Sequence, residues 1–169
     1  MDNWSFNEAW MKECQKYSIP AAKILIQRFG YKLDDELGVG LFELYKIGDI
    51  IGWKNGRLYL WEVEWRKGLD EWEAGVPFPY ETVHIPNRKL SSSSTFDFYL
   101  ILNNSCDMAC VISRAKIIRY KEMIYGLPVL NESSGKYVKD DFGDVPIEEW
   151  KSYQKVNGLW RNFLVKTYA

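Results

Sequence analysis

One histidine, three cysteines and no long apolar run set the first limits on this 169-residue chain. His84 stands alone, with no nucleophile motif beside it, which argues against Ser-His and Cys-His hydrolysis. Cys14, Cys106 and Cys110 are an odd set that suits reduced thiols better than a disulfide framework. Cys106 and Cys110 with one distant histidine do not have zinc-finger spacing. Neither a Walker loop nor the Rossmann glycine fingerprint occurs. No apolar stretch is long enough to span a bilayer and no secretory segment opens the chain, which predicts a cytoplasmic protein with no membrane partner. Lys and Arg number 22 against 23 Asp and Glu, so the net charge of −1 excludes a general basic coat for nucleic acid but allows a local basic patch.

Aromatic residues, by contrast, are plentiful. Eight Trp and eleven Tyr bring the aromatic share, Phe included, to 16%. Stacking against bases is one use of such rings, and core packing is the more frequent one. Hydrophobic residues at 47% and charged residues at 27% are globular values, and the length fits one domain over residues 1–169.

The most informative stretch is 48–66. Asn55-Gly56 is a strong hairpin signal, because both central residues of a type I′ turn need positive φ. The arm after it is rich in aromatic and β-branched residues, which predicts a strand. Alternation puts Glu62 and Glu64 on one face and Tyr59, Trp61, Val63 and Trp65 on the other. Two carboxylates roughly 6.6 Å apart along a strand repel unless a positive charge sits between them. Asp49, on the first arm among apolar neighbours, adds a third acid, and the arrangement has the look of a hard-cation site. A solvated strand face would also carry two glutamates, but this face holds Leu58 and Leu60 as well.

Around this hairpin, Ser5 and Glu8 form a capping box for a helix spaced by Phe6, Trp10, Met11, Cys14 and Tyr17. Pro20 suits the first turn of a second helix that stops at Gly30. A loop over 31–40 leads to an expected strand at 41–45. Residues 69–74 read as a short acidic helical piece, 81–85 as a strand and 91–94, four serines, as a flexible loop. Strands at 96–102 and 108–112 form a second hairpin, 114–125 reads as either helix or strand, and 126–143 is turn-rich. Asp144 caps a last helix over 147–155, with Glu148 and Glu149 near its positive end. The order predicts an α/β or α+β fold: a central mixed sheet flanked by helices.

Gly48-Asp49, twelve residues, then Glu62-Val63-Glu64 resembles the motif of the PD-(D/E)XK nuclease superfamily in its E-x-E form. The resemblance implies a restriction-endonuclease-like fold and a phosphodiester hydrolase acting on DNA, an endonuclease of phage, mobile-element or repair contexts. It implies Mg²⁺ (or Mn²⁺) held by Asp49 and Glu62, with Glu64 as a further ligand or as the group that orients the attacking water. The lysine position of the motif holds Glu64, so Arg66 and Lys89 are the candidate catalytic cations. Arg66, Lys67, Arg88 and Lys89 are the candidate nucleic-acid contacts, and Glu8 or Glu13 would be the acid contributed by the first helix. A homodimer or a partner would help bring substrate to so acidic a chain. The alternative is an inactive nuclease-fold protein that binds nucleic acid or protein. In an unrelated interaction domain, the three acids would share no focus.

Overall fold

The computed structural model describes residues 8–33, 49–90, 96–121, 124–131 and 135–164. Two helices open it, α1 at Glu8–Lys16 and α2 at Ser18–Arg28. At their junction, the buried Ser18 hydroxyl donates to the Cys14 carbonyl at 3.2 Å. Helix α2 buries Ala21, Ala22, Leu25 and Ile26, a stripe at helical spacing. It ends at Phe29 and Gly30, whose φ of +90° only glycine adopts readily. Lys54 Nζ donates to the Phe29 carbonyl at 2.7 Å, placing a cation at the negative end of the helix.

Ten strands follow among the described residues: β1 at Lys32–Leu33, β2 at Ile50–Lys54, β3 at Arg57–Trp65, β4 at Thr82–Pro86, β5 at Phe98–Leu102, β6 at Met108–Ser113, β7 at Ile124–Asn131, β8 at Lys136–Pro146, β9 at Lys151–Val156 and β10 at Leu159–Asn162. Seven of them form one sheet in the order β1-β2-β3-β5-β6-β9-β10, and β4-β8-β7 form a second. The pairing of β3 with β5 is parallel, while the other ladders among the described residues are antiparallel. Tyr99, Leu100, Ile101 and Leu102 on β5 are all fully buried, as a strand covered on both faces requires.

Alternation divides the core into two layers. Trp61, Leu100, Leu102, Ala109, Val111 and Trp160 pack with α2 on one face. Tyr99, Ile101, Cys110 and Ile112 pack on the other face with Val83, Ile85 and Val145 of the second sheet, together with Trp72 and Trp150. Among the described residues the molecule is therefore a mixed α/β structure with α2 on one face of the large sheet and a small sheet on the other.

The β2–β3 hairpin forms with the expected turn, Asn55 at φ 51° and Gly56 at φ 74°. Several local expectations are corrected. Residues 69–74 make successive turns, Leu69 N–H to the Arg66 carbonyl and Trp72 N–H to the Leu69 carbonyl, rather than a helix. The described residues of 126–143 are not turn-rich loop but most of strands β7 and β8; Gly126 falls at a register shift, Gly135 in the connecting turn and Gly143 within β8 opposite Ile85, and the largely exposed side chains lack apolar alternation. No helix forms over 147–155. A 3₁₀ turn at Ile147–Glu149 leads into β9, held between β6 and β10 by their ladders, with Trp150 buried between the sheets. The described residues of 114–125 form one helical turn, α3 at Arg114–Ile117, a 3₁₀ turn at Ile118–Tyr120 and the start of β7. The Ser5 cap, the strand at 41–45 and the serine loop at 91–94 lie outside the described residues.

Candidate functional site

The hairpin ladder ends at the pair Ile50–Trp61, and just beyond it Asp49 N–H donates to the same Trp61 carbonyl at 2.8 Å. That bond falls outside the regular register, and what ties Asp49 to Glu62 is charge: the Glu62 carboxylate is near enough to raise the Asp49 pKa. Trp61 faces α2, so its neighbour Glu62 faces the second sheet. Asp49 Oδ2 accepts the Val63 N–H at 2.8 Å. Burial pushes the Asp49 pKa from 3.8 up to about 7, and the Glu62 carboxylate adds to the rise; the Val63 N–H and Lys89 oppose it. Asp49 is nevertheless exposed as a residue, and its bond to the Val63 N–H lies at the surface. The upward direction stands, and water moderates its size.

Lys89 reaches this pair from a 3₁₀ turn at Asn87–Leu90 that follows β4 directly. Leu90, buried in the inter-sheet core, anchors the turn. Lys89 Nζ stands 2.9 Å from Glu62 Oε1 and donates to the Tyr99 hydroxyl at 3.3 Å. Burial disfavours the ammonium, but Tyr99, Glu62 and Glu64 around it more than reverse that, so it holds its proton more tightly than an ordinary lysine. Tyr99 lies beside Glu62 in the parallel β3–β5 register and is fully buried. Its hydroxyl donates to Glu64 Oε2. Burial and the Glu64 charge hold the phenol well above its ordinary pKa.

Glu64 Oε1 is 2.9 Å from Arg66 Nε, an ion pair by distance without hydrogen-bond alignment at Nε. Arg66 Nη2 donates to the His84 carbonyl on β4 at 3.1 Å. The result is a polar row running from Glu62 through Lys89, Tyr99 and Glu64 to Arg66, with Asp49 joined to it by the Glu62 charge. Each member has a partner, as buried polar groups require.

Of the residues singled out in the sequence, Asp49, Glu62, Glu64, Arg66 and Lys89 stand in this row. Lys67 does not. Its Nζ meets Glu13 Oε2 on α1 at 2.5 Å, so Glu13 is paired with Lys67. The side chains of Glu8 and Arg88 lie outside the described residues. Among the described residues, no group of three His, Cys, Asp or Glu side chains is arranged to hold a metal ion. Tyr99 was missed by sequence reasoning, since a tyrosine in an apolar strand reads as core until the β3–β5 register sets it beside Glu62. Cys110 is buried against the Ser152 hydroxyl, and its thiol is pushed up by burial to about 12, an inert rather than reactive state. No protein-family model, no curated protein and no solved structure matches this chain.

Proposed function

We propose that this chain is a metal-dependent nuclease of PD-(D/E)XK type that hydrolyses phosphodiester bonds of DNA. The observation that carries the reading is the closeness of the Asp49 and Glu62 charges beside the β2–β3 hairpin, with Lys89 on Glu62. The order of elements supports it: an antiparallel acid-bearing hairpin, then a crossover to a parallel strand beside its second arm.

The oxygen donors suit Mg²⁺ or Mn²⁺. Mg²⁺ is commonly held by one or two carboxylates, with waters and substrate phosphates completing its shell, so a third protein acid is not required. The raised pKa of Asp49 reports like-charge repulsion on top of burial, which a divalent cation relieves. Asp49 and Glu62 would hold the ion; when bound, it would lower the pKa of a water and polarise the scissile phosphate. Lys89 supplies the charge that the motif places at Glu64, and its firmly held proton makes it an electrostatic stabiliser of the phosphate rather than a base. Tyr99 fixes Lys89 from one side and Glu64 from the other. Glu64 in turn orients Arg66 at the cleft edge, where a guanidinium can meet a backbone phosphate.

The second reading, an inactive nuclease-fold binding module, is favoured by the engagement of Glu64 with Tyr99 and Arg66. The test is cleavage of plasmid, linear, branched and single-stranded DNA with Mg²⁺ or Mn²⁺, against EDTA and the Asp49→Asn and Glu62→Gln variants. Metal-dependent cutting that both variants abolish is expected. Binding without cutting on every substrate would select the second reading.

A further inference from the structure

Where β3 ends, a cleft of about 950 Å³ opens between the large sheet and β4, and its walls include Trp65, Arg66, Lys67, Phe78, Tyr80 and His84. It lies outside the carboxylate row yet shares Arg66 with it, since the same guanidinium touches Glu64 and the His84 carbonyl. It also sits at the carboxyl end of the strand that pairs in parallel with β5, the place where mixed sheets commonly receive ligands.

Two features of the wall point to one kind of occupant. One is aromatic: Phe78 stands edge-on to Trp72 and to Tyr80, with ring centroids at 5.1 and 5.9 Å. Tyr80 leaves 52% of its surface open while its hydroxyl donates to Glu71 at 3.1 Å, so an exposed ring is held by a hydrogen bond at its far end. Exposing a ring in this way costs hydrophobic burial, and stacking against a planar partner offsets that cost. The other feature is cationic. Lys67 is positioned by Glu13, and Arg66 by Glu64 and the His84 carbonyl. A guanidinium carries five N–H donors, more than these contacts use, so a phosphate can join Arg66 without displacing its partners.

Size then selects among nucleic acids. A volume of 950 Å³ corresponds to a width of roughly 10 Å, narrower than even the roughly 12 Å major groove of a duplex. A base enters only after leaving its pair, and it meets a ring to stack on and a cation for its phosphate.

We propose that this cleft is a binding subsite for an unpaired nucleotide of a nucleic-acid strand, with its base on Tyr80 and Phe78 and its phosphate on Arg66. The inference rests on the nuclease reading for its choice of nucleic acid, and it makes single-stranded, flapped or frayed DNA the preferred substrate class.

The test is fluorescence anisotropy with a labelled single-stranded 20-nucleotide probe and the matching duplex, in EDTA so that nothing is cut. The wild type should bind the single strand more tightly than the duplex. Tyr80→Ala should weaken single-strand binding about tenfold, the usual worth of one stacked base, and leave duplex binding unchanged. Tyr80→Phe should restore it, because the ring remains. Tyr137→Ala, which removes a 73% exposed tyrosine from the remote β7–β8 hairpin, should change neither. Single-strand affinity unaffected by Tyr80→Ala, or lost equally with duplex affinity, would overturn the proposal. Cleavage without Tyr80 dependence would sink the subsite and keep the nuclease; Tyr80-dependent binding without cleavage on any substrate would do the reverse.

Discussion

Replacing Asp49 with asparagine should make the metal-free protein more stable, not less. The carboxyl is raised from 3.8 in the unfolded chain to about 7 in the fold, first by burial and then by Glu62. Between those values the native state binds more protons than the unfolded state, so stability falls as pH rises from about 4 through 7. At 1.36 kcal/mol per pH unit, the full rise would correspond to about 4 kcal/mol. Asp49 retains solvent contact, and screening leaves on the order of 1–2 kcal/mol. Asparagine keeps an oxygen for the Val63 N–H and removes only the charge. Thermal unfolding in EDTA should therefore place the variant about 2–8 °C above wild type at pH 8, a gap that closes as pH falls toward 4. Mg²⁺ should stabilise wild type and not the variant. A variant less stable than wild type by the same margin at pH 8 and pH 5 would refute the reasoning, because it would mean that Asp49 is an ordinary paired carboxylate.

Lys89→Met should cost about 2–4 kcal/mol, because Glu62 loses its 2.9 Å partner in a mostly buried setting, and it should abolish cleavage even at saturating metal; denaturant melts and single-turnover assays read the two effects separately. Asn103→Ala should destabilise by about 3 kcal/mol in the same melts, since this fully buried amide donates to the Trp72 carbonyl and accepts the Asp107 and Met108 N–H groups that close the β5–β6 turn. Gly143→Ala should cost about 1–3 kcal/mol, because a Cβ there would stand 3.0 Å from the Tyr120 carbonyl oxygen and 3.3 Å from Leu90 Cδ1, at the turn that carries Lys89; an unchanged melting temperature would count against the packing described.

How much of this was legible in the sequence depended on whether the signal was local. Asn55-Gly56 set the first hairpin, and its register runs to the pair Ile50–Trp61, which leaves Asp49 at the end of one arm and Glu62 next along the other. Asn157-Gly158, with φ of 51° and 76°, is the same signal between β9 and β10, and as a dipeptide it favours a hairpin over the expected helix at 147–155. The acids after Asp144 suggested a helix start, yet the ladders to β6 and β10 and the burial of Trp150 outweigh so weak a local preference. The β7–β8 hairpin was opaque because its largely exposed strands carry no alternation to read. Tyr99 was opaque for another reason: its place beside Glu62 depends on a parallel pairing between strands more than thirty residues apart. Lys89 was reachable only as a nearby cation in a loop, and what aims it is the burial of Leu90 next to it.

The most direct measurement is the position of Mn²⁺ by anomalous diffraction from crystals soaked in MnCl₂. The account predicts a peak bonded to both Asp49 and Glu62 carboxylates, lost in Glu62→Gln crystals, with Lys89 still beside the site. Crystals saturated with Mn²⁺ that show no peak between those two side chains would contradict it.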